Sequence, residues 1–330
     1  LMISIIVPSY NSEKTIEKNI RSLINQDYNG KYEIIVVDKS NDRTPEIVSN
    51  FSKISKSVKL IKQKSKGISA ARNLGVKKSK GKIVVFIDSD CIAPKNWLRE
   101  LLKPFSSRNV AAVSGTYRVK NKESLIARFA QYEIEKRHER MKKMKTIDFV
   151  GGFNCAYRKN VFLEVGGFDT TLAQSEDGEL SYKVAKRGHK ILFNPSAYVY
   201  HYHPSSLFKF LKQKFWHAYW RVFAYKLHKE KILGDSYTSR SLLVEEALIG
   251  ITSLLLLLGL LGVVPLFYGI TLFLVSFLLT LPLSFKIFVK DKAVGLLSPF
   301  IIILRNFAMG LGIFLGLISV AKSTFMERFE

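Results

Sequence analysis

Through about the first 95 residues, short apolar runs alternate with segments in which apolar residues recur at helical spacing. "MISIIVPSYN" is an apolar run stopped by Pro8, which reads as a strand entering a loop. "SEKTIEKNIRSLINQDY" then places Ile16, Ile20, Leu23 and Ile24 on one helical face, with Asn11 or Ser12 as the expected N-cap. "YEIIVVDKSND" is a second buried strand running into a polar loop, and Pro45 opens the next helix. "VKLIKQ" is a short strand, "GISAARNLGVKKSKG" a helix expected to end at Gly81, and "KIVVFIDSD" a fourth strand. Strands alternating with helices at this interval predict an α/β fold: a mixed, mostly parallel sheet flanked by helices. Such sheets bind ligands at the carboxyl ends of their strands. Pro8 to Asn11, Asp38 and the Asp88–Asp90 pair all fall at those ends.

Beyond residue 95 the pattern loosens. It predicts a helix over 97–105, a strand over 110–116 and a basic amphipathic helix over about 124–144. Gly151–Phe153 and Gly166–Phe168 spell the same triplet, but their flanks differ, so they read as two turns rather than a repeat. A helix ended at Gly188 and then short strands complete the first 205 residues. Residues 207–231 interleave aromatics with Lys and Arg, the composition of a helix lying in a headgroup region.

The chain then changes character. Residues 247–285 carry no charge, enough for two spanning helices with a turn near Gly262–Pro265. A third apolar segment, 293–321, holds Arg305 and Asn306, which must face other helices, a polar cavity or the interface. Both spanning and re-entrant paths are open for it. The lysines of 286–292 place that connection, and with it the N-terminal domain, on the cytoplasmic side of a multi-pass membrane protein. The expected divisions are a domain over 1–205, a basic interface segment over 206–242, two or three spanning helices over 243–322 and a tail over 323–330.

Composition adds three points. The 330 residues carry a net charge of +24, which favours an anionic lipid surface, a phosphate-rich substrate or nucleic acid as partner. Cys91 and Cys155 have no metal-ligand spacing, and two cysteines make no disulfide framework, which fits a reducing compartment. The N-terminal stretch lacks a basic region and reads as a first strand, not a signal peptide.

Two carboxylates at i and i+2 after an apolar strand can hold one hard cation, Mg²⁺ or Mn²⁺, that completes its shell with water and substrate phosphates. A calcium loop does not fit, because the glycine and the closing glutamate are missing. An aspartyl phosphatase strand fits poorly, because "DSDCI" lacks the Thr or Val of that pattern.

Six stretches stand in order: "IIVPSYN", "IIVVDKSND", "GISAARNLG", "FIDSDC", "GGFNCAYRKNVFLEVGGFD" and "SEDGELSYKVAKRG". Together, over residues 2–205, they resemble the family 2 glycosyltransferases. The resemblance implies a GT-A fold and metal-dependent, inverting transfer of a sugar from a nucleotide-diphosphate sugar. It implies that Pro8, Tyr10 and Asp38 contact the nucleoside, that Arg72 meets the diphosphate, and that Asp88 lies by the ribose. Asp90, with Asp88 and His201, would hold Mn²⁺ or Mg²⁺. Asp177 would be the catalytic base, and Gly152, Asn154 and Glu176 would lie on the acceptor side. Where the family often has two adjacent acids, this chain has Asp38–Lys39, with Lys39 meeting a phosphate or solvent. "QKFWHAYWR" is similar to the Q-x-x-R-W motif of processive members, with the wrong spacing. The membrane segments point to a lipid-linked or membrane-bound glycan as acceptor and to membrane lipids, not nucleic acid, as partners. A polyprenyl phosphate as acceptor is the alternative; it needs no base, which counts against it given "SEDGE". A non-catalytic basic membrane scaffold is the alternative of another class.

Overall fold

In the computed structural model, which describes residues 2–326, the first strands carry the architecture because their long apolar runs are covered on both faces. β1 (Ile3–Ser9), β2 (Tyr32–Asp38) and β4 (Ile83–Ile87) are buried along almost their whole length. β3 (Val58–Lys62) lies outside them. These four strands are parallel, in the order β3-β2-β1-β4. The sheet continues through β7 (Asn154–Arg158), β6 (Val110–Val119), β8 (Lys190–His201) and β5 (Cys91–Ile92), with antiparallel pairings at β4–β7, β6–β7 and β5–β8.

Helices α1 (Ile16–Ile24), α2 (Thr44–Ile54) and α3 (Ile68–Lys78) make the crossovers. α1 buries Ile16, Ile20 and Leu23 on the expected face, and Pro45 sits in the first turn of α2. Two boundaries differ from expectation. α1 begins after Thr15, because Asn11, at φ 49°, and Ser12 stay in the loop, where Asn11 N–H donates to Ser40 Oγ at 2.7 Å. α3 ends at Lys78 rather than Gly81. Gly81 has a different task, since a Cβ there would lie 2.5 Å from the Ser4 backbone nitrogen.

α4 (Trp97–Leu102) and a short 3₁₀ turn precede β6, and α6 (Lys159–Glu164) follows β7. α7 (Glu176–Lys186) ends where Gly188 takes φ +79°. The expected short strands after it are one strand, β8, which tolerates Pro195 because its pairing with β6 is irregular between Ser114 and Thr116.

The chain divides into two units: residues 1–120 with 138–202, and residues 121–137 with 203–330. α5 (Leu125–Met141) contributes to both. The second unit holds α8 (Leu207–Leu227), α9 (Arg240–Leu260), α10 (Leu266–Lys290) and α11 (Lys292–Met326). Among the described residues, three helices are long and apolar enough to cross a membrane, α9, α10 and α11. Leu260, Phe267, Val289, Leu296 and Phe300 point outward from them. The segment 293–321 is continuous helix, as a spanning path requires. The expected loop at 286–292 shrinks to Asp291, whose Oδ1 accepts from Val294 N–H as an N-cap and whose Oδ2 accepts from Arg128 Nε at 2.6 Å. Of the expected tail, 323–326 continue α11, and 327–330 lie outside the described residues.

α8 packs on α11 at two glycines. A Cβ on Gly312 or Gly316 would come within 2.4 Å of Phe215 O and 2.9 Å of Tyr219 O respectively, and Tyr219 Oη bonds Ser319 Oγ at 3.0 Å. This is the small-residue approach by which helices associate in lipid. The segment expected to lie on a bilayer is therefore also a packed helix of the second unit, with Phe208 and Trp216 among its exposed aromatics.

Candidate active site

β4 delivers Asp88 to the sheet edge and the chain turns at once. Asp88 N–H donates to Phe153 O, and Cys91 N–H closes the turn on Asp88 O at 3.1 Å. Asn19, fully buried on α1, spans the turn: its Nδ2 donates to Asp88 O at 3.0 Å and to Cys91 O at 2.7 Å. Because β5 pairs with β8 at Cys91 and His201, the turn also brings His201 beside Asp90, Nε2 to Oδ2 at 3.3 Å. Burial acts to raise Asp90, but the His201 hydrogen bond overcomes it and leaves this carboxyl below its ordinary value. For His201 burial acts downward, and the Asp90 contact and charge reverse it, so the imidazole is raised.

The ligand atoms of Asp90, His201 and Cys91 lie within 4.8 Å of one another. Burial, and then the charges of Asp90 and Asp88, push the Cys91 thiol well above its ordinary range. A carboxylate and an imidazole, with one flank of Asp90 open to solvent, fit a divalent cation that takes few protein ligands and borrows the rest from phosphates. Asp88 is engaged differently. Its Oδ1 accepts from Arg72 Nη2 at 3.0 Å, and burial outweighs that guanidinium and raises its pKa.

Arg72 is the centre of the site. It is 2% exposed, and its other fork, Nη1, donates to Glu176 Oε1 at 2.7 Å. Its Nε N–H has no hydrogen-bond partner among the described residues. Gly152 packs flat on the guanidinium, where a Cβ would stand 2.8 Å from Cζ and both terminal nitrogens. Gly152 N–H in turn donates to Asp177 Oδ2 at 3.0 Å, while Asp177 Oδ1 accepts from Gly178 N–H at 2.8 Å. These acids begin α7, after Ser175 takes a left-handed conformation at φ 66°. Burial first, and Asp177 second, push Glu176 up to about 7 against the pull of Arg72. The raised acid next to the expected base is thus Glu176, and it faces Arg72.

At the ends of β1 and β2, Pro8 is buried in β1, and Tyr10 beyond it is 65% exposed. Asp38 is buried at the end of β2 and accepts from Ser40 N–H at 3.0 Å and Ser40 Oγ at 2.6 Å. Lys39 caps the Lys64 and Ser65 carbonyls through Nζ, at 2.6 and 2.9 Å. Ser12 Oγ meets Ser89 Oγ at 2.8 Å, joining the first loop to the acidic turn.

Asn154 departs from its expected place on the acceptor side. It is fully buried, donates to Thr116 O and Ala197 O at 3.0 and 2.8 Å, and accepts from Trp97 Nε1 at 2.8 Å. Its amide braces β6, β7, β8 and α4 and presents nothing to a substrate. His203, the other histidine of "HYH", belongs to the second unit, where its Nε2 pairs with Gln131 Oε1 at 3.2 Å. Sequence reading passed over Asn19, Ser89 and Asn73. Asn73 donates to Phe168 O at 2.8 Å and accepts from Phe168 N–H at 3.0 Å, fixing the second glycine turn. For Asn19 there was a signal: an amide on the same helical stripe as Ile16, Ile20 and Leu23 needs a buried partner.

Residues 4–166 match the model of glycosyl transferase family 2. The chain is 31% identical over 232 residues to a probable glycosyltransferase, YdaM, of Bacillus subtilis, covering 66% of this chain and 53% of that one. It is 30% identical over 196 residues to the glycosyltransferase AglE of Haloferax volcanii, covering 58% and 64%. The chain thus spans about half to two thirds of the length of these curated relatives. Its fold is similar to that of the mannosyltransferase PcManGT from Pyrobaculum calidifontis, solved with GDP-Man and Mn²⁺, at TM-score 0.64 and 18% identity over 94% of this chain and 86% of that one. Through residues 4–166, on a GT-A fold, the chain belongs to the family 2 glycosyltransferases.

Proposed function

We propose that the chain transfers a sugar, with inversion, from a nucleotide-diphosphate sugar to a hydroxyl of a membrane-associated, lipid-linked glycan. The observation that carries this reading is the single guanidinium of Arg72, bonded to Asp88 on one side and to Glu176, next to Asp177, on the other. A donor-side acid and an acceptor-side acid are thereby held at one centre. Similarity to the mannosyltransferase solved with GDP-Man and Mn²⁺ supports the donor class.

In this reading Asp38 and Tyr10 take the nucleoside, the carboxylate accepting from a ring N–H or hydroxyl and the exposed ring stacking on the base. Asp90 and His201 would hold Mn²⁺ or Mg²⁺, which when bound neutralises the diphosphate leaving group. Arg72 directs its unpartnered Nε N–H and its positive charge at the same phosphates. Asp177 is held by Gly152 and Gly178 N–H and takes the acceptor hydroxyl's proton. The acceptor oxygen then bonds to the anomeric carbon as the bond to the diphosphate oxygen breaks on the opposite face. One displacement inverts the centre.

The test is a panel of nucleotide sugars scored for Mn²⁺-dependent turnover by the full chain, with Asp177→Asn beside it. Turnover of one donor that falls by about two to four orders of magnitude in the variant supports the base. Near-full transfer by Asp177→Asn, or transfer to a polyprenyl phosphate alone, overturns the hydroxyl-acceptor reading.

A further inference from the structure

A continuous apolar helix such as α11 has two courses open to it, through a bilayer or along one leaflet, and its packing partners decide between them. α9 and α10 set the scale. They pack as an antiparallel hairpin, with Gly259 against Leu266 next to the turn and Thr252 Oγ1 3.4 Å from Ser276 Oγ further along. One end of the hairpin is the apolar turn at Gly262–Pro265. The other end is charged: α9 starts there at Arg240 with Glu245 and Glu246, and α10 finishes there with Lys286 and Lys290. Charge keeps that end at one membrane face and leaves the turn at the other.

A crossing α11 would leave the charged end at Asp291 and come level with the turn after about 20 residues, near Gly310. Its contacts place it elsewhere. A Cβ on Gly310 would find Glu246 O, in the second turn of α9, at 3.9 Å. Arg305 reaches Glu133 of α5 at 2.7 Å and Glu245 of α9 at 3.4 Å. Further on the partner is α8, where Gly312 meets Phe215 O, Gly316 meets Tyr219 O, and Tyr219 Oη bonds Ser319 Oγ at 3.0 Å. Two residues after Tyr219, Arg221 Nη1 donates to Thr238 Oγ1, just ahead of the start of α9. Ser319 therefore lies at the charged end as well. It is 28 residues past Asp291, about 42 Å of helix. Two points so far apart on one helix, both at the same face, require the helix to run along the membrane. α8 itself carries Lys209, Lys212, Lys214, Arg221 and Lys226, too many cations to accompany α11 through hydrocarbon.

The two faces of α11 agree with this course. Leu296, Phe300, Phe307, Leu311, Phe314 and Ile318 are exposed and, at about 100° per residue, fall on one stripe. On the opposite face Val294, Ile301 and Ile302 pack with Phe129 and Ala130 of α5 and Phe210 of α8, and Arg305, Gly312 and Gly316 continue that side. An apolar stripe backed along its length by charged helices is the form of a helix sunk into the boundary between headgroups and acyl chains. Arg305 and Asn306 are then spared the bilayer centre, where an ionisable group is costly.

We propose that α11 lies in the plane of the membrane, its exposed stripe seated in the acyl chains of one leaflet and α8 alongside it, and that the chain crosses the bilayer twice, through α9 and α10. The inference rests on packing within the second unit and not on the transfer reaction, so its failure leaves that reading untouched. The test places one nitroxide at a time on the full chain in lipid vesicles, at Leu296→Cys, Phe307→Cys and Ile318→Cys; the native Cys91 and Cys155 are buried. Depth is read from relaxation by oxygen and by a water-soluble nickel chelate. An in-plane α11 gives three depths within about 5 Å of one another, all in the outer part of a leaflet. A crossing α11 puts Phe307→Cys about 15 Å deeper than the other two, and that result overturns the proposal. Sidedness is read with a membrane-impermeant maleimide on sealed vesicles of one orientation. Lys322→Cys should react together with Lys229→Cys, which follows α8, and not with Val263→Cys at the hairpin turn. Reaction of Lys322→Cys only where Val263→Cys reacts overturns the two-crossing course.

Discussion

Gly152→Ala adds one methyl group at the point where the backbone lies on Arg72. The new Cβ would stand 2.8 Å from Cζ, Nη1 and Nη2, against an optimum of about 3.5–4.0 Å for such contacts. The guanidinium must retreat by about 1 Å, and it is held by bonds of 2.7 Å to Glu176 and 3.0 Å to Asp88. A retreat of that size takes at least one of them beyond hydrogen-bonding distance, at about 1.5–3 kcal/mol for a charged bond. The same methyl disturbs the Gly152 N–H that holds Asp177. Misplacement by about 1 Å at a reacting centre costs on the order of a hundredfold in rate. The variant should therefore lose about a hundredfold in kcat/KM for the nucleotide sugar, while the circular dichroism spectrum of the full chain in detergent stays unchanged. Activity within a factor of about three of wild type would refute the claim that Gly152 is there to admit Arg72.

Other outcomes follow from the same geometry. Glu176, raised to about 7, keeps its proton in the folded protein at pH values where the unfolded chain has lost it. Its stabilising contribution is complete below about 4.5 and declines as pH rises through 7, so Glu176→Gln should flatten the loss of thermal stability across that window. An identical slope in the variant would show that another group titrates there. Asn154→Ala strands Trp97 Nε1 and the Thr116 and Ala197 carbonyls and should destabilise the first unit by about 2–4 kcal/mol, read as a lower melting temperature. His201→Gln should weaken Mn²⁺ affinity, measured by electron paramagnetic resonance with nucleotide diphosphate present, by about tenfold or more; unchanged affinity would remove His201 from the cation site. Arg305→Leu removes one of the three cations on Glu133 and should cost about 3–5 kcal/mol of the second unit's stability, seen as earlier unfolding in detergent.

The crossover strands were legible because burial on both faces leaves a continuous apolar run, as in "ISIIV" and "IVVFI". The acidic turn was legible because a carboxylate after such a run demands a partner. β8 was not, because Pro195 and the half-covered positions around it break the alternation that marks a strand. That His201 stands beside Asp90 depends on the pairing of Cys91 with His201, a contact between residues far apart in the chain. Asn154 misled for a related reason: a glycine-rich loop beside a polar residue looks like a binding loop whether the amide faces substrate or three neighbouring elements. The helix of residues 207–227 showed its aromatic and basic composition plainly, but the glycines that receive it lie about a hundred residues later.

The corner at Asp291 has a consequence for helical phase. One residue separates α10 from α11, and its carboxylate caps the new helix while gripping Arg128. Each residue turns an α-helix by about 100°. A single insertion after Asp291 would therefore swing the rest of α11 more than a quarter turn, carrying Arg305 off Glu133 and Gly312 and Gly316 off α8. One capped residue sets the angular register of everything that α11 meets.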